Sequence, residues 1–94
     1  MFEIHRNANG ELAFAGRLDA SQADKARRAL DAVAESCTID FAGLEYISSA
    51  GLGILLATQK RLSESGQCVK LAHLNRHIRD IFHIAGFDLV FEIE

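Results

Sequence analysis

Ser48 and Ser49 have the clearest potential for chemistry in this sequence, because they stand directly before an apolar pattern with helical spacing. Backbone N–H groups in the first turn of a helix have no partner within the helix, so a serine hydroxyl there is a natural N-cap. With a helix that begins near Ala50, we predict that Ser49 is this cap. A phosphate on Ser49 would gain from the helix dipole and the free N–H donors, so modification is compatible with the fold. On residue type alone, a plain cap is the simpler interpretation of both serines.

Enzyme chemistry is not indicated by the residues around Ser49. The Gly-x-Ser-x-Gly elbow of many hydrolases is missing, and no Asp/His pair is identifiable as a partner of the hydroxyl. The segment from Gly51 to Gly53, with Lys60 further on, lacks the Gly-Lys-Ser/Thr ending of a phosphate-binding loop. We therefore expect a protein that is not an enzyme, with no catalytic residue and no cofactor.

The charge and hydropathy patterns exclude two further classes of function. The formal net charge is −3, and the Lys and Arg residues are spread along the chain, so no nucleic-acid surface is predicted. The longest apolar stretch, from Leu52 to Ala57, is far too short to span a bilayer, and the start MFEIHRN lacks a secretory signal. We expect a cytoplasmic protein without direct membrane insertion.

The histidines and cysteines do not predict a metal centre. The four histidines are scattered over a strand, a loop and different turns of a helix, at His5, His73, His77 and His83. Cys37 and Cys68 lie next to predicted strands, and we expect both to be reduced thiols buried in the core. A regulatory disulfide would need adjacent strands in matched register, and we do not expect one.

The first half of the chain predicts a hairpin followed by a helix. Apolar residues alternate with polar ones on both sides of Asn9-Gly10, a favoured two-residue hairpin turn. Helical spacing then runs from about Ser21 to Ser36, with Asp19 or Ser21 available as the N-cap. This part should form two antiparallel strands and one amphipathic helix.

The second half alternates strands with helices. A strand from Cys37 to Phe41 should end at Ala42-Gly43 and lead through a loop into a helix with Leu52, Leu55, Leu56 and Leu62 on its apolar stripe. Ser65-Gly66 should end this helix, and Asn75 and Gly86 should begin and end the next one. Strands are predicted at Cys68–Leu71 and Leu89–Ile93. The 1–94 chain therefore predicts a single α/β domain: a mixed sheet of four to five strands, with an N-terminal antiparallel hairpin and parallel strands, packed with three main helices.

Three segments resemble the STAS domain, which is shared by sulfate transporters and anti-sigma factor antagonists. The segment from Thr38 to Leu56, TIDFAGLEYISSAGLGILL, is similar to the central motif of the family. Gly16-Arg-Leu-Asp19 is similar to its Gly-x-Leu-Asp turn, and Ile78-Arg-Asp-Ile-Phe-His-Ile-Ala-Gly86-Phe to its last long helix. Together the three segments imply a STAS-type fold over nearly the whole chain.

The resemblance implies a function and a site. In the soluble bacterial regulators of the family the motif usually reads Asp-Ser-Ser-Gly-Leu-Gly, and its first serine is phosphorylated by a partner that is both anti-sigma factor and kinase. That serine falls on Ser49, the Asp on Ser48 and the second serine on Ala50. The implied partner-binding residues are Asp19 and the segment from Ser48 to Gly53, which we call the switch segment: Ser48, Ser49, Ala50, Gly51, Leu52 and Gly53.

The same resemblance implies the partners and leaves a second function open. An anti-sigma factor antagonist in a partner-switching pathway would bind a serine kinase of the histidine-kinase-like ATPase fold, be released by phosphorylation at Ser49 and be restored by a phosphoserine phosphatase. The missing Asp at Ser48 also agrees with a constitutive STAS subunit that docks on the ATPase of an ABC-type lipid transporter without being phosphorylated.

Overall fold

The predicted strands and helices form one mixed sheet and three α-helices in the computed structural model, which describes residues 1–94. The strands are β1 (Phe2–Arg6), β2 (Leu12–Leu18), β3 (Cys37–Ile47), β4 (Val69–Ala72) and β5 (Glu92–Ile93). The helices are α1 (Ala23–Asp31), α2 (Ser49–Ser63) and α3 (Arg76–Ile84). The sheet order follows the chain order, β1 pairs antiparallel with β2, and all later pairs are parallel. The predicted fold class is confirmed.

The turn between β1 and β2 differs from the predicted two-residue Asn9-Gly10 turn. The N–H of Gly10 donates to the carbonyl of Asn7, and the Asn7 side-chain oxygen accepts from the N–H groups of Asn9 and Glu11, all at 3.0 Å. Gly10 has a φ of 78°, which suits a glycine. The side chain of Asn7 therefore organises a longer turn by bonding the backbone that follows it.

β3 continues to Ile47 where the sequence predicted a loop after Ala42-Gly43. Its pairing with β2 shifts register twice, between Ala13 and Ala15 and between Gly16 and Arg17. Each shift places an additional β3 residue opposite β2, which is the geometry of a β-bulge. Because the bulges let the strand bend and continue, the switch segment follows directly from the end of a strand.

The first helix and the last strand are shorter than predicted. Asp19 caps a single 3-10 turn, Ala20–Gln22, and α1 then ends at Asp31 instead of near Ser36. The N–H and hydroxyl of Ser36 both donate to the side chain of Gln67, so a tertiary contact replaces the helical bonds expected there. Likewise β5 is confined to Glu92–Ile93, because a 3-10 turn at Phe87–Leu89 precedes it.

The start of α3 and the ends of α2 and α3 are as predicted. Asn75 caps α3 by accepting from the N–H of Ile78 at 2.9 Å. Gly66 and Gly86 follow α2 and α3 in the left-handed region, at φ values of 78° and 76°.

Phenylalanine side chains connect the helices to the sheet. Phe2, Phe14, Phe41 and Phe82 contact one another in sequence, with ring centroids 5.3 to 5.9 Å apart. Phe82 also packs edge-to-face on Phe87 and Phe91, both at 6.0 Å. Such aromatic pairs add about 0.5–1.5 kcal/mol each beyond the burial of their area. The chain of rings fixes α3 against β3.

The cysteines are less buried than predicted. Both Cys37 and Cys68 are free and half-buried, at the start of β3 and immediately before β4. Burial raises the pKa of the Cys37 thiol above its ordinary value, which keeps it protonated at neutral pH. No helix of the chain combines the length and the apolar character needed to cross a membrane.

Candidate functional site

The candidate site lies where β2 and β3 end side by side. The two strands are parallel, and Leu18 pairs with Ile47 at their carboxyl ends. The N–H of Ser48 then donates to the carbonyl of Leu18 at 2.9 Å. As a result Asp19 and Ser48, the residues that follow this pair, leave the sheet at the same place. The structure thus brings together the residues that the sequence assigned to one site.

Ser48, and not Ser49, is the N-cap of α2. Its backbone is extended, and its Oγ accepts from the N–H of Gly51 at 3.2 Å. The Ser48 carbonyl accepts the first helical bond, from the N–H of Leu52 at 2.9 Å. The predicted cap was one residue too late because the helix begins at Ser49 instead of Ala50. Asp and Ser are both strong N-caps, so Ser48 supplies the cap at the position where the family motif usually has Asp.

Ser49 is consequently the first residue of the helix, and its hydroxyl is not needed as a cap. Its side chain is exposed and makes no hydrogen bond, whereas the hydroxyl of Ser48 is half-buried and engaged. The first N–H groups of α2 point in the direction from which the chain enters, and those of Ser49 and Ala50 have no helical partner. Ser49 is therefore the serine of the pair that a second protein can reach without breaking a cap.

Asp19 is held in place by a neighbour on its own turn. One carboxylate oxygen accepts from the hydroxyl of Ser21 at 2.6 Å and from its N–H at 3.0 Å. The hydroxyl bond, followed by the weaker backbone bonds, lowers the pKa of Asp19 below its ordinary value. Asp19 thus presents a fixed, ionised carboxylate beside the switch segment.

The two glycines of the switch segment have different roles. A Cβ on Gly51 would lie 2.8 Å from Cγ of Leu18 and 2.9 Å from Cγ1 of Ile47, so Gly51 lets α2 pack closely on the strand ends. A Cβ on Gly53 would meet nothing within 4 Å. Only Gly53 therefore keeps the helix surface open.

The remaining residues of the switch segment complete a small, uncharged surface. Ala50 is exposed, Leu52 is half-buried against the core, and the first turn of α2 carries neither an acidic nor a basic side chain. Any charge added at Ser49 would be the first charge on this turn.

One feature close to the site was missed by sequence reasoning. The guanidinium of Arg17 lies over the ring of Tyr46, with Cζ 4.5 Å from the ring centroid. The two residues are a register pair of β2 and β3, two positions before Asp19 and Ser48. The pairing depends on the bulges between the strands, so no sequence signal connects Arg17 with Tyr46.

The titratable side chains do not assemble into a metal centre. No group of three or more His, Cys, Asp or Glu side chains lies close enough together to hold an ion. The histidines are as dispersed as their spacing suggested, with His5 on β1, His73 between elements, and His77 and His83 on α3.

Comparison with a family model covers almost the entire chain. Residues 3–92 match the model described as "Mlab, STAS domain". The chain belongs to the STAS-domain family. A curated relative from Bordetella bronchiseptica, BtrV, named as an anti-sigma factor antagonist, is 35% identical to this STAS protein over 74 residues. That match covers 79% of the chain and only 58% of BtrV.

Solved structures share the fold at lower identity. An anti-sigma factor antagonist from Mycobacterium paratuberculosis superposes with a TM-score of 0.81 at 22% identity, over 99% of this chain and 83% of the other. The anti-sigma factor antagonist SpoIIAA in its unphosphorylated form gives a TM-score of 0.72 at 19% identity, over 100% of this chain and 88% of the other. SpoIIAA in its phosphorylated form also matches, with a TM-score of 0.66 at 19% identity, over 100% and 91% of the two chains.

Proposed function

We propose that this STAS protein is an anti-sigma factor antagonist that works by partner switching. The unphosphorylated form binds an anti-sigma factor that is also a serine kinase of the histidine-kinase-like ATPase fold. Phosphorylation at Ser49 releases it, and a phosphoserine phosphatase restores binding. The observation that carries the proposal is the free hydroxyl of Ser49 at the first residue of α2, beside the occupied hydroxyl of Ser48.

The position of Ser49 explains how a phosphate would act on binding and not on folding. The unpaired N–H groups at the start of α2 and the helix dipole favour an anion there. The phosphate would add about 1.5 to 2 negative charges to a turn that carries none. A partner packed on Ser49, Ala50 and Gly53 would have to accommodate that charge. A loss of about 3 kcal/mol weakens binding more than a hundredfold, which is enough to redistribute a shared partner.

The neutral cap at Ser48 is compatible with phosphorylation at Ser49. An Asp at this position would place a carboxylate next to the phosphate of Ser49, and like charges that close repel. Ser48 supplies the bond to the N–H of Gly51 without that charge. The departure from the family pattern therefore preserves the helix start and lowers the repulsion in the phosphorylated form.

The decisive experiment combines modification with partner identity. The native protein is isolated with its bound proteins and studied by intact and peptide mass spectrometry. We expect a phosphate on Ser49 in a fraction of the molecules, none on Ser48, and a histidine-kinase-like ATPase bound to the unmodified fraction. The purified kinase should then bind Ser49→Ala like the wild type and Ser49→Asp more weakly. Equal affinity for all three proteins would contradict the proposal.

A constitutive STAS subunit is the second candidate function. It is favoured by one observation, the absence of the usual Asp before Ser49. In that case the switch segment would dock on a transporter ATPase. The same mass spectrometry distinguishes the two functions, because this candidate predicts unmodified Ser49 and stable co-purification with the transporter.

A further inference from the structure

Arg17 is presented at the end of β2 by a rigid arrangement of backbone. The preceding Gly16 has a φ of 88°, and a Cβ there would lie 2.1 Å from the carbonyl oxygen of Met1. The N–H of Arg17 donates to that same carbonyl at 2.8 Å. Glycine is therefore required at this point, and the bond to Met1 fixes the direction in which the strand continues. The exposed side chain of Arg17 then rests on the ring of Tyr46.

The guanidinium of Arg17 differs from most cations of the molecule because it is free to bind an anion. Six other basic side chains donate to a carbonyl or pair with a carboxylate: Arg6, Lys25, Arg27, Arg61, Lys70 and Arg79. Arg28, Lys60 and Arg76 are also free, but no aromatic ring holds them. Only Arg17 combines free N–H donors with a fixed plane.

The side chain of Arg17 also lies on a different surface from α2. Leu18 and Ile47 turn inward, where they pack close to Gly51. Arg17 and Tyr46, which precede them in the two strands, are exposed and half-buried. Successive side chains of a strand point to opposite faces. The stacked pair therefore flanks the strand ends on the side away from α2.

We propose that the Arg17–Tyr46 stack is a second contact for the partner protein and binds a carboxylate of an Asp or Glu side chain. A guanidinium stacked on a ring keeps its N–H donors in one plane, which matches the two oxygens of a carboxylate. Because the ring already restricts the side chain, less conformational entropy is lost on binding. The net charge of −3 and the scattered cations favour a protein carboxylate over a nucleic acid. The inference rests on the proposed function.

The stack also predicts the sign of the partner's charge near Ser49, and with it whether a phosphate there attracts or repels the partner. A partner that presents a carboxylate to Arg17 would bring negative charge to the same end of the sheet as Ser49. A phosphate on Ser49 would repel that charge, whereas unmodified Ser49 would not. Attraction at Arg17, beside the strand ends, and repulsion at Ser49, at the start of α2, would therefore act on a partner that spans this end of the sheet.

The test is a binding titration of variants with the purified kinase that is recovered with the native protein. Arg17→Ala should weaken binding about tenfold and Arg17→Glu more strongly, because the latter also repels the carboxylate. Tyr46→Leu should act like Arg17→Ala, whereas Tyr46→Phe should bind like the wild type. The hydroxyl of Tyr46 makes no hydrogen bond, so Phe keeps the ring and removes nothing else of consequence. Wild-type binding should weaken with added salt more steeply than binding of Arg17→Ala.

Arg28→Ala is the matched control, since Arg28 is an exposed arginine without a hydrogen bond or ion pair. It should bind like the wild type. Equal losses for Arg17→Ala and Arg28→Ala would overturn the proposal, because they would reflect net charge alone. Normal binding of Arg17→Glu beside weak binding of Ser49→Asp would also overturn it and leave the switch intact. Normal binding of both variants would overturn the switch as well.

Discussion

The starts of α2 and α3 are built on the same physics and used differently. Each helix follows a parallel strand and is capped by a side-chain oxygen. The Ser48 hydroxyl accepts from the N–H of Gly51, and the Asn75 side chain accepts from the N–H of Ile78. Asn75 also donates its amide to the carbonyl of Leu44 at 3.1 Å, which ties α3 to β3.

The first turns beyond the two caps differ in size and charge. Arg76 and His77 follow Asn75, whereas Ser49 and Ala50 follow Ser48. The comparison teaches that a cap alone does not mark a functional helix start. What distinguishes α2 is a first turn with small, uncharged and exposed side chains, one of which, Ser49, has a hydroxyl that makes no hydrogen bond.

The two glycines of α2 should give the largest contrast in stability. Gly51→Ala places a Cβ within 3.0 Å of Leu18 and Ile47, and it should lower the free energy of unfolding by about 1–3 kcal/mol. Gly53→Ala meets open space and should raise it by about 0.5–1 kcal/mol through better helix propensity. Urea denaturation measures both variants. Equal effects would show that the close packing at Gly51 does not limit substitution.

The two caps should differ when they are removed. Ser48→Ala leaves the N–H of Gly51 without its bond and should lower the free energy of unfolding by about 1 kcal/mol. Asn75→Ala removes the cap bond to the N–H of Ile78 and also the bond to the carbonyl of Leu44, and it should lower the free energy of unfolding by about 2 kcal/mol. Chemical denaturation at one pH provides the comparison. A larger loss for Ser48→Ala would reverse the assignment of α3 as the more firmly anchored helix.

Charge at the start of α2 should be tolerated by the fold. Ser49→Asp should raise the free energy of unfolding by about 0.3–1 kcal/mol through the helix dipole, and Ser49→Ala should leave it nearly unchanged because the hydroxyl has no partner. Thermal unfolding at low and high salt tests this, since salt should reduce the gain of Ser49→Asp. A clear loss of stability in Ser49→Asp would contradict a phosphate that acts on binding alone.

The opposite ends of the same helices should differ in their response to pH. His83, in the last turn of α3, has its ring Nδ1 2.6 Å from the carboxylate of Asp88, which lies beyond the end of the helix. This hydrogen bond raises the pKa of His83 above its ordinary value. The contribution of the His83–Asp88 pair to the free energy of unfolding is therefore complete below the unfolded pKa of His83, about 6.5. It is lost as the pH rises through the folded pKa of His83.

Melting temperatures of the wild type and His83→Gln should consequently differ most near pH 6, below the unfolded pKa, and converge as the pH rises through the folded pKa. The effect should be small because both side chains are at the surface. The end of α2, at Ser65 and Gly66, has no histidine–carboxylate pair and therefore serves as the control. A difference that grows with pH would have the wrong sign and would exclude the His83–Asp88 pair as its cause.

The sequence predicted the element order, because that order depends on local signals. Hydrophobic periodicity identifies α2, and Gly66, Asn75 and Gly86 mark helix ends through backbone requirements that no other contact overrides. The motif around Ser49 placed the candidate site immediately before this helix, although the sequence predicted a loop there and not the end of a strand.

Features that depend on contacts between distant segments were predicted less well. The bulges that extend β3 past Gly43, and with them the pairing of Arg17 with Tyr46, arise from packing between strands. The bond from Ser36 to Gln67 likewise shortens α1. The capping serine was misassigned by one residue because a helix start has to be known to that accuracy before Ser48 and Ser49 can be told apart.

The hydrogen bond between the N–H of Ser48 and the carbonyl of Leu18 joins two segments that are 30 residues apart in the chain. Contacts of such separation carry a larger loop-closure cost than local ones, and this one accompanies the pairing of β2 with β3. A copy in which β2 and β3 are unpaired would lack this bond, and with it the fixed start of α2. Under the proposed function, a kinase that recognises the folded surface would phosphorylate only folded molecules. The bond from Ser48 to Leu18 would therefore also restrict phosphorylation of Ser49 to correctly folded protein.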